Sequence, residues 1–166
     1  PRRAAACQRG LTLIESMMAV VLLALMLGLG LPSLQTMLDS NRVAREASWL
    51  QSDLRMARAE AVRRGAPVGL CASSNGTACT AGATWRQGWI LFSNARGDGS
   101  FDAAAGDQIL RVQRAWSGSD TATTTPNADR LAFNGEGFAA VLRGGNTTIT
   151  IRAPSAPVSS TRCLIL

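Results

Sequence analysis

Residues 8–31 read QRGLTLIESMMAVVLLALMLGLGL, and the architecture follows from them. The 21 residues 11–31 carry a single charge, Glu15. As a helix rising about 1.5 Å per residue they span about 31 Å, the thickness of a bilayer's hydrocarbon core. Arg2, Arg3 and Arg9 precede the run with no acid among them. Basic flanks stay in the cytoplasm, so the pattern predicts a single-pass segment with its N-terminus inside and everything beyond residue 31 outside. A cleaved secretory signal is a poorer fit. Its apolar core is about 7–15 residues long and ends in a small-residue cleavage site, whereas PSLQTMLDS follows here. The Ala4-Ala5-Ala6-Cys7 stretch lies before the apolar run, where a lipid-attachment site would lie after it. The first residue is Pro1 rather than Met, so a further stretch of leader is expected upstream.

The remainder is polar enough to fold in water. A length of 166 residues suits one globular domain, and 46% hydrophobic against 17% charged residues excludes a disordered polymer. Seventeen arginines face eleven acids, for a net charge of +6, and lysine, histidine and tyrosine are absent. Without histidine there is no Ser-His-Asp triad, no Cys-His pair, no histidine metal site and no general acid–base of the commonest kind. No pair of acids has the neighbours of a catalytic dyad. The sequence therefore assigns no catalytic residue, no metal site and no cofactor, and predicts a binding or assembly role rather than an enzyme.

Beyond Pro32 the helical period continues. Val43, Ala47, Leu50, Leu54, Ala57 and Ala61 form an apolar stripe in steps of three and four. Arg42, Arg45, Glu46, Asp53, Arg55, Arg58, Glu60, Arg63 and Arg64 are assigned to the opposite face. Gly65 and Pro67 end the helix, and Gly28, Gly30 and Pro32 are expected to interrupt or kink it. The domains read as 1–10 leader, 11–31 membrane helix, 32–64 amphipathic helix and 65–166 β-rich domain. In the last, strands are expected over 68–71, 88–92, 107–114, 130–134, 146–152 and 162–166. Residues 138–143 read as a hairpin partner of 130–134. The stretches 117–129 and 153–160 read as loops. The fold class is α+β: one long N-terminal helix packed on antiparallel sheets.

Cys71 and Cys79 flank a turn-rich segment outside the membrane, which suits a disulfide in an oxidising compartment. A zinc site is the rival and would need a second pair or histidines. Cys163 is either unpaired or the true partner of one of the two. Residues 94–107 (NARGDGSFDAAAGD) faintly resemble a calcium loop, but Arg96 stands where an oxygen ligand belongs and no Glu closes it. Trp85 and Trp89 read as core, and Trp49, beside the stripe, as a contact to a neighbouring subunit.

The junction QRG-LTLIE (8–15) resembles the N-terminal signature of type IV pilins and type II secretion pseudopilins. The resemblance implies that a prepilin peptidase cuts after Gly10 on the cytoplasmic face. Leu11, in place of the usual Phe, becomes the N-methylated first residue, and Glu15 is the acid used in assembly. A carboxylate inside a bilayer costs about 2.5–3.5 kcal/mol and is retained where it has a partner. Cleavage creates one, the α-amine of Leu11 in this or a neighbouring subunit. Thr12 to Glu15 also has the spacing of a capping box, which is compatible with that role. Pro32 fits the same resemblance.

A second resemblance covers most of the chain. RAEAVRRG (58–65), VGLC (68–71), Cys79, W-x-x-GWILF (85–92), the GDG turn (97–99) and D-x-ILR (107–111) follow one another as in the GspH/FimT family of minor pilins and minor pseudopilins. Thr161-Arg162-Cys163 stands where that family has a Gly-Arg-rich strand. The resemblance implies a non-enzymatic subunit at or near the tip of a periplasmic filament. It would help initiate or cap a type II secretion pseudopilus or a type IV pilus. The implied partners are other minor pilins or pseudopilins, the inner-membrane assembly platform and the peptidase. Some FimT-like pilins bind DNA. The alternative function is therefore DNA capture for natural transformation, with Arg143, Arg152 and Arg162 as candidate phosphate contacts.

Overall fold

The computed structural model of the chain describes residues 12–125, 128–140, 147–154 and 161–165, with the backbone alone at 29–32. Helix α1 spans Leu13–Arg64 without a break. The expected interruption near residues 28–32 does not occur. The helix continues through Pro32, whose missing N–H takes one hydrogen bond out of the ladder. The chain divides into two compact units, residues 1–37 and 38–166. In the first, the side chains at 12–28 are all exposed.

In the second unit α1 supplies the stripe of buried Val43, Ala47, Leu50, Leu54, Ala57 and Ala61. Seven strands follow: β1 Val68–Ala72, β2 Gly88–Ser93, β3 Ile109–Arg114, β4 Thr121–Thr125, β5 Arg130–Phe133, β6 Thr148–Arg152 and β7 Arg162–Ile165. They form two antiparallel sheets, ordered β3-β2-β1-β5 and β4-β6-β7. One apolar core joins the helical stripe to Val68, Leu70, Trp89, Leu91, Leu131 and Phe133 of the larger sheet. It also takes in Ala122, Ile149 and Ile151 of the smaller one. Burying each large side chain contributes about 1.5–3 kcal/mol. A second cluster, Cys71, Ile90 and Phe92 with Cys79, Phe101 and Ile109, fills the other face of the larger sheet.

Two features of the strands differ from the sequence reading. Residues 121–125 (TATTT) form β4, paired with β6 from Thr121↔Arg152 to Thr125↔Thr148, where a loop was expected. β-branched threonine favours the pleated surface. Ala122 turns into the core while Thr121, Thr123 and Thr125 stay exposed. Of the expected hairpin partner of β5, the described residues 138–140 make a single bridge, Phe133↔Ala139. The rest of that expected strand, 141–143, lies outside the described residues.

Two glycines are demanded by geometry. Gly69 of β1 lies under Phe92, whose ring carbon would stand 2.5 Å from a Cβ. Gly88, at φ +102, has the Gln113 carbonyl oxygen 2.5 Å from where a Cβ would lie.

Candidate assembly surface

α1 begins on a polar cap. Thr12 Oγ1 accepts from Glu15 N–H at 3.3 Å, and Thr12 O accepts from Ser16 N–H at 3.1 Å. This ties off donors that a helix start leaves free. Glu15 itself is exposed in the first turn, among exposed Leu13, Ile14, Met17 and Met18. Leu13 is 82% exposed, and large apolar side chains through Leu27 are more than half exposed. The helix is long and apolar enough to cross a membrane, with none of its most apolar window buried. Among the described residues no other part of the chain covers this apolar surface. Gly10 and Leu11 lie outside the described residues.

The exposed apolar character continues on the second unit. Leu38 and Trp49 are exposed, and a shallow groove of about 540 Å³ runs along Leu38, Asn41, Ala44, Arg45 and Ser48. The end of the helix is charged. Glu60 accepts from Arg63 at 2.8 and 2.6 Å and from Arg64 at 2.6 Å. Hydrogen bonds from Arg63 and Arg64 hold its carboxyl down at about 2.

Glu46 and Asp53 correct the assignment of all charged helix residues to the outer face, because both are buried on the sheet side. Asp53 Oδ2 accepts from the Trp89 indole at 2.8 Å, and its Oδ1 lies 3.0 Å from Arg111 Nε. Glu46 sits beside Asp120, which Arg42 grips at 2.6 and 2.7 Å. Their partners come from segments dozens of positions away, so helical periodicity held no sign of them. A signal did exist: acids one position off an apolar stripe, with arginine and tryptophan among the strands.

Cys71 and Cys79 are joined by a disulfide with Cα atoms 5.6 Å apart. It fixes the 73–80 loop to β1, helped by Ser73 Oγ, which donates to Ala78 O at 2.6 Å. Cys163 is unbridged and exposed on β7. In the 94–107 loop the oxygens turn inward. Asn94 Oδ1 accepts from Gly99 N–H, and Asp107 accepts from Ala95 and Asp102 N–H. Arg96 pairs with Asp102 at 2.7 Å. The loop is closed by its own hydrogen bonds, an arrangement that satisfies the carboxylates without a cation.

Of the candidate phosphate contacts, the two described ones, Arg152 and Arg162, are not gathered. Arg152 stands across from Thr121, and Arg162 across from Ile151, so alternation along the strands puts them on opposite faces. Arg143 lies outside the described residues.

Residues 46–166 match the family model described as Type II transport protein GspH, and residues 6–31 match the prokaryotic N-terminal methylation motif. The chain belongs to the GspH family. No curated protein matches it. The fold is similar to that of the type IV minor pilin FimU of Pseudomonas aeruginosa (strain PAO1) in two crystal forms. In space group P21 the TM-score is 0.57 over 75% of this chain and 81% of that one. In P65 it is 0.54 over 74% and 83%. Sequence identity is 20% in both. The family is that of the type II transport protein GspH, and the fold is one that a type IV minor pilin shares.

Proposed function

We propose that this protein is a minor subunit that initiates or caps a type II secretion pseudopilus or a type IV pilus. In this reading residues 1–10 are a leader removed by the prepilin peptidase after Gly10, and Leu11 becomes the methylated N-terminus. Residues 11–31 anchor the chain in the inner membrane with the β-rich domain in the periplasm, and later pack in the filament core. The observation that carries the reading is the uncovered apolar surface at 12–28, at the start of a helix whose later turns are core. A bilayer covers it before assembly, and neighbouring helices delivered by the assembly platform cover it afterwards. Glu15, exposed in the first turn, is positioned to meet the α-amine of a neighbouring Leu11. The test is an immunoblot of Gly10→Ala and Glu15→Ala variants in cells. Gly10→Ala is expected to leave the longer precursor. Glu15→Ala should be processed normally but lost from sheared filaments. Normal processing of Gly10→Ala would overturn the cleavage assignment.

DNA capture is the second reading. Arg152 and Arg162 are exposed and carry no ion pair among the described residues. Their separation onto two faces favours weak phosphate contact over a dedicated groove, and assembly therefore ranks first.

A further inference from the structure

The smaller sheet is tied to the helix through buried charge. Asp120, the residue before β4, is fully buried. Arg42 donates to both of its oxygens, at 2.6 and 2.7 Å, and also pairs with Asp39 at 2.9 Å. Glu46, one helical turn beyond Arg42, is 2% exposed. No donor reaches its buried Oε2 among the described residues. Its hydrogen-bonding neighbour is instead the Asp120 carboxyl. An ionised carboxylate only accepts, so two carboxyls in contact need one proton between them. The other charges felt here are Arg45 on the helix, which acts on Glu46, and Arg86, which acts on Asp120 and donates to Gly118 O at 2.8 Å.

We propose that Glu46, Asp120 and Arg42 form a proton-operated clasp that fastens the start of β4 to the helix while Glu46 is protonated and slackens when it ionises. Burial, then the Asp120 charge, pushes Glu46 up to about 7. Burial, the largest single influence, pushes Asp120 up, but the hydrogen bonds from Arg42 and Glu46 and the charges of Arg42 and Arg86 together outweigh it and the net shift is down. Asp120 is thus the ionised member and Glu46 holds the proton. The folded pKa of Glu46 lies above its ordinary 4.5. Its stabilising contribution is therefore complete below that value and lost as pH rises through about 7. The chain has no histidine, so the side chain that ordinarily titrates near neutrality does not compete in this window. The clasp is independent of the filament role.

The test uses the full chain in detergent micelles with ¹³C-labelled glutamate. Glu15, Glu46, Glu60 and Glu136 are its glutamates, so the carboxyl spectrum is simple. One resonance is expected to titrate with a midpoint near pH 7 and to vanish in Glu46→Gln. The Tm of the native chain should fall by about 4–8 °C between about pH 5 and about pH 8. Glu46→Gln, whose amide donates to Asp120 at every pH, should lose that slope. A Glu46 midpoint near the ordinary carboxyl value would overturn the proposal, as would the same slope in the variant. The titration of the native chain decides the matter even if the variant fails to fold.

Discussion

Residues 12–28 and residues 43–61 belong to the same helix and have opposite relations to their surroundings. The first stretch exposes every side chain, and among the described residues its side-chain hydrogen bonds are those joining Thr12 to Glu15 and Ser16. The second buries a stripe of six apolar residues and two carboxyls against the sheets. Helical propensity does not distinguish them, since both are helix. What differs is the cover: in the second this chain supplies it, in the first none is supplied among the described residues, and the proposed function takes it from outside. Substitutions in the two stretches should therefore register in different assays.

The largest effect is expected from Leu50→Ala. Leu50 is fully buried, and losing it should cost about 2–5 kcal/mol by thermal melting of the detergent-solubilised chain. Asp53→Ala comes next. It leaves the buried Trp89 indole without its acceptor and Arg111 without its counter-charge, and should destabilise by about 1–3 kcal/mol. A loss below measurement error there would remove the claim that the second stretch is held by polar contacts as well as apolar ones. Replacing Cys71 and Cys79 together by Ala should cost about 2–3 kcal/mol in the same melt. Membrane partitioning should not change. In the first stretch, Leu22→Ala should alter the melt by less than about 0.5 kcal/mol. A Leu22→Asp change should instead release the chain from membranes in a flotation assay. Strong destabilisation by Leu22→Ala would mean that the stretch has a cover within the chain after all. The smallest effect is expected of Glu60→Gln. Its carboxyl is held at about 2, yet the group is solvent-screened, and a surface pair contributes little. The contribution it does make is present above its ordinary 4.5 and fades as pH falls through about 2. No change in Tm near neutral pH is expected. For DNA, a titration at two salt concentrations should show weak, steeply salt-dependent binding. Binding that persists at physiological salt and is lost when Arg143, Arg152 and Arg162 become Ala would reverse the ranking of the two readings.

The same division marks what the sequence made legible. Period-3.6 spacing from Val43 to Ala61 identified the buried stripe because each member is apolar, and the short apolar runs at 68–71 and 88–92 announced their strands. β4 did not. Its threonines read as polar loop because composition records the hydroxyl, while the strand is set by the branched Cβ and by Ala122 facing inward. Glu46 and Asp53 were misplaced for a related reason. A charged side chain is buried when its partner is close in space, and Asp120, Trp89 and Arg111 are distant in sequence. The start of the helix was the reverse case. QRG-LTLIE carries its meaning in local order, which is why the prepilin resemblance could be read before any fold was known.

Trp89 joins several of these observations. Its indole is bonded to Asp53 on the helix, and its ring meets Trp85 and Trp116 edge-on at 6.3 Å each, with planes at 62° and 89°. Rings this close and steeply inclined share their electronic transitions, so the three act as one chromophore with a circular-dichroism signature of its own. That signal depends on the segments at 85 and 116 packing against β2. The protein thus contains an optical gauge of how its β-rich part is packed, readable without any added label.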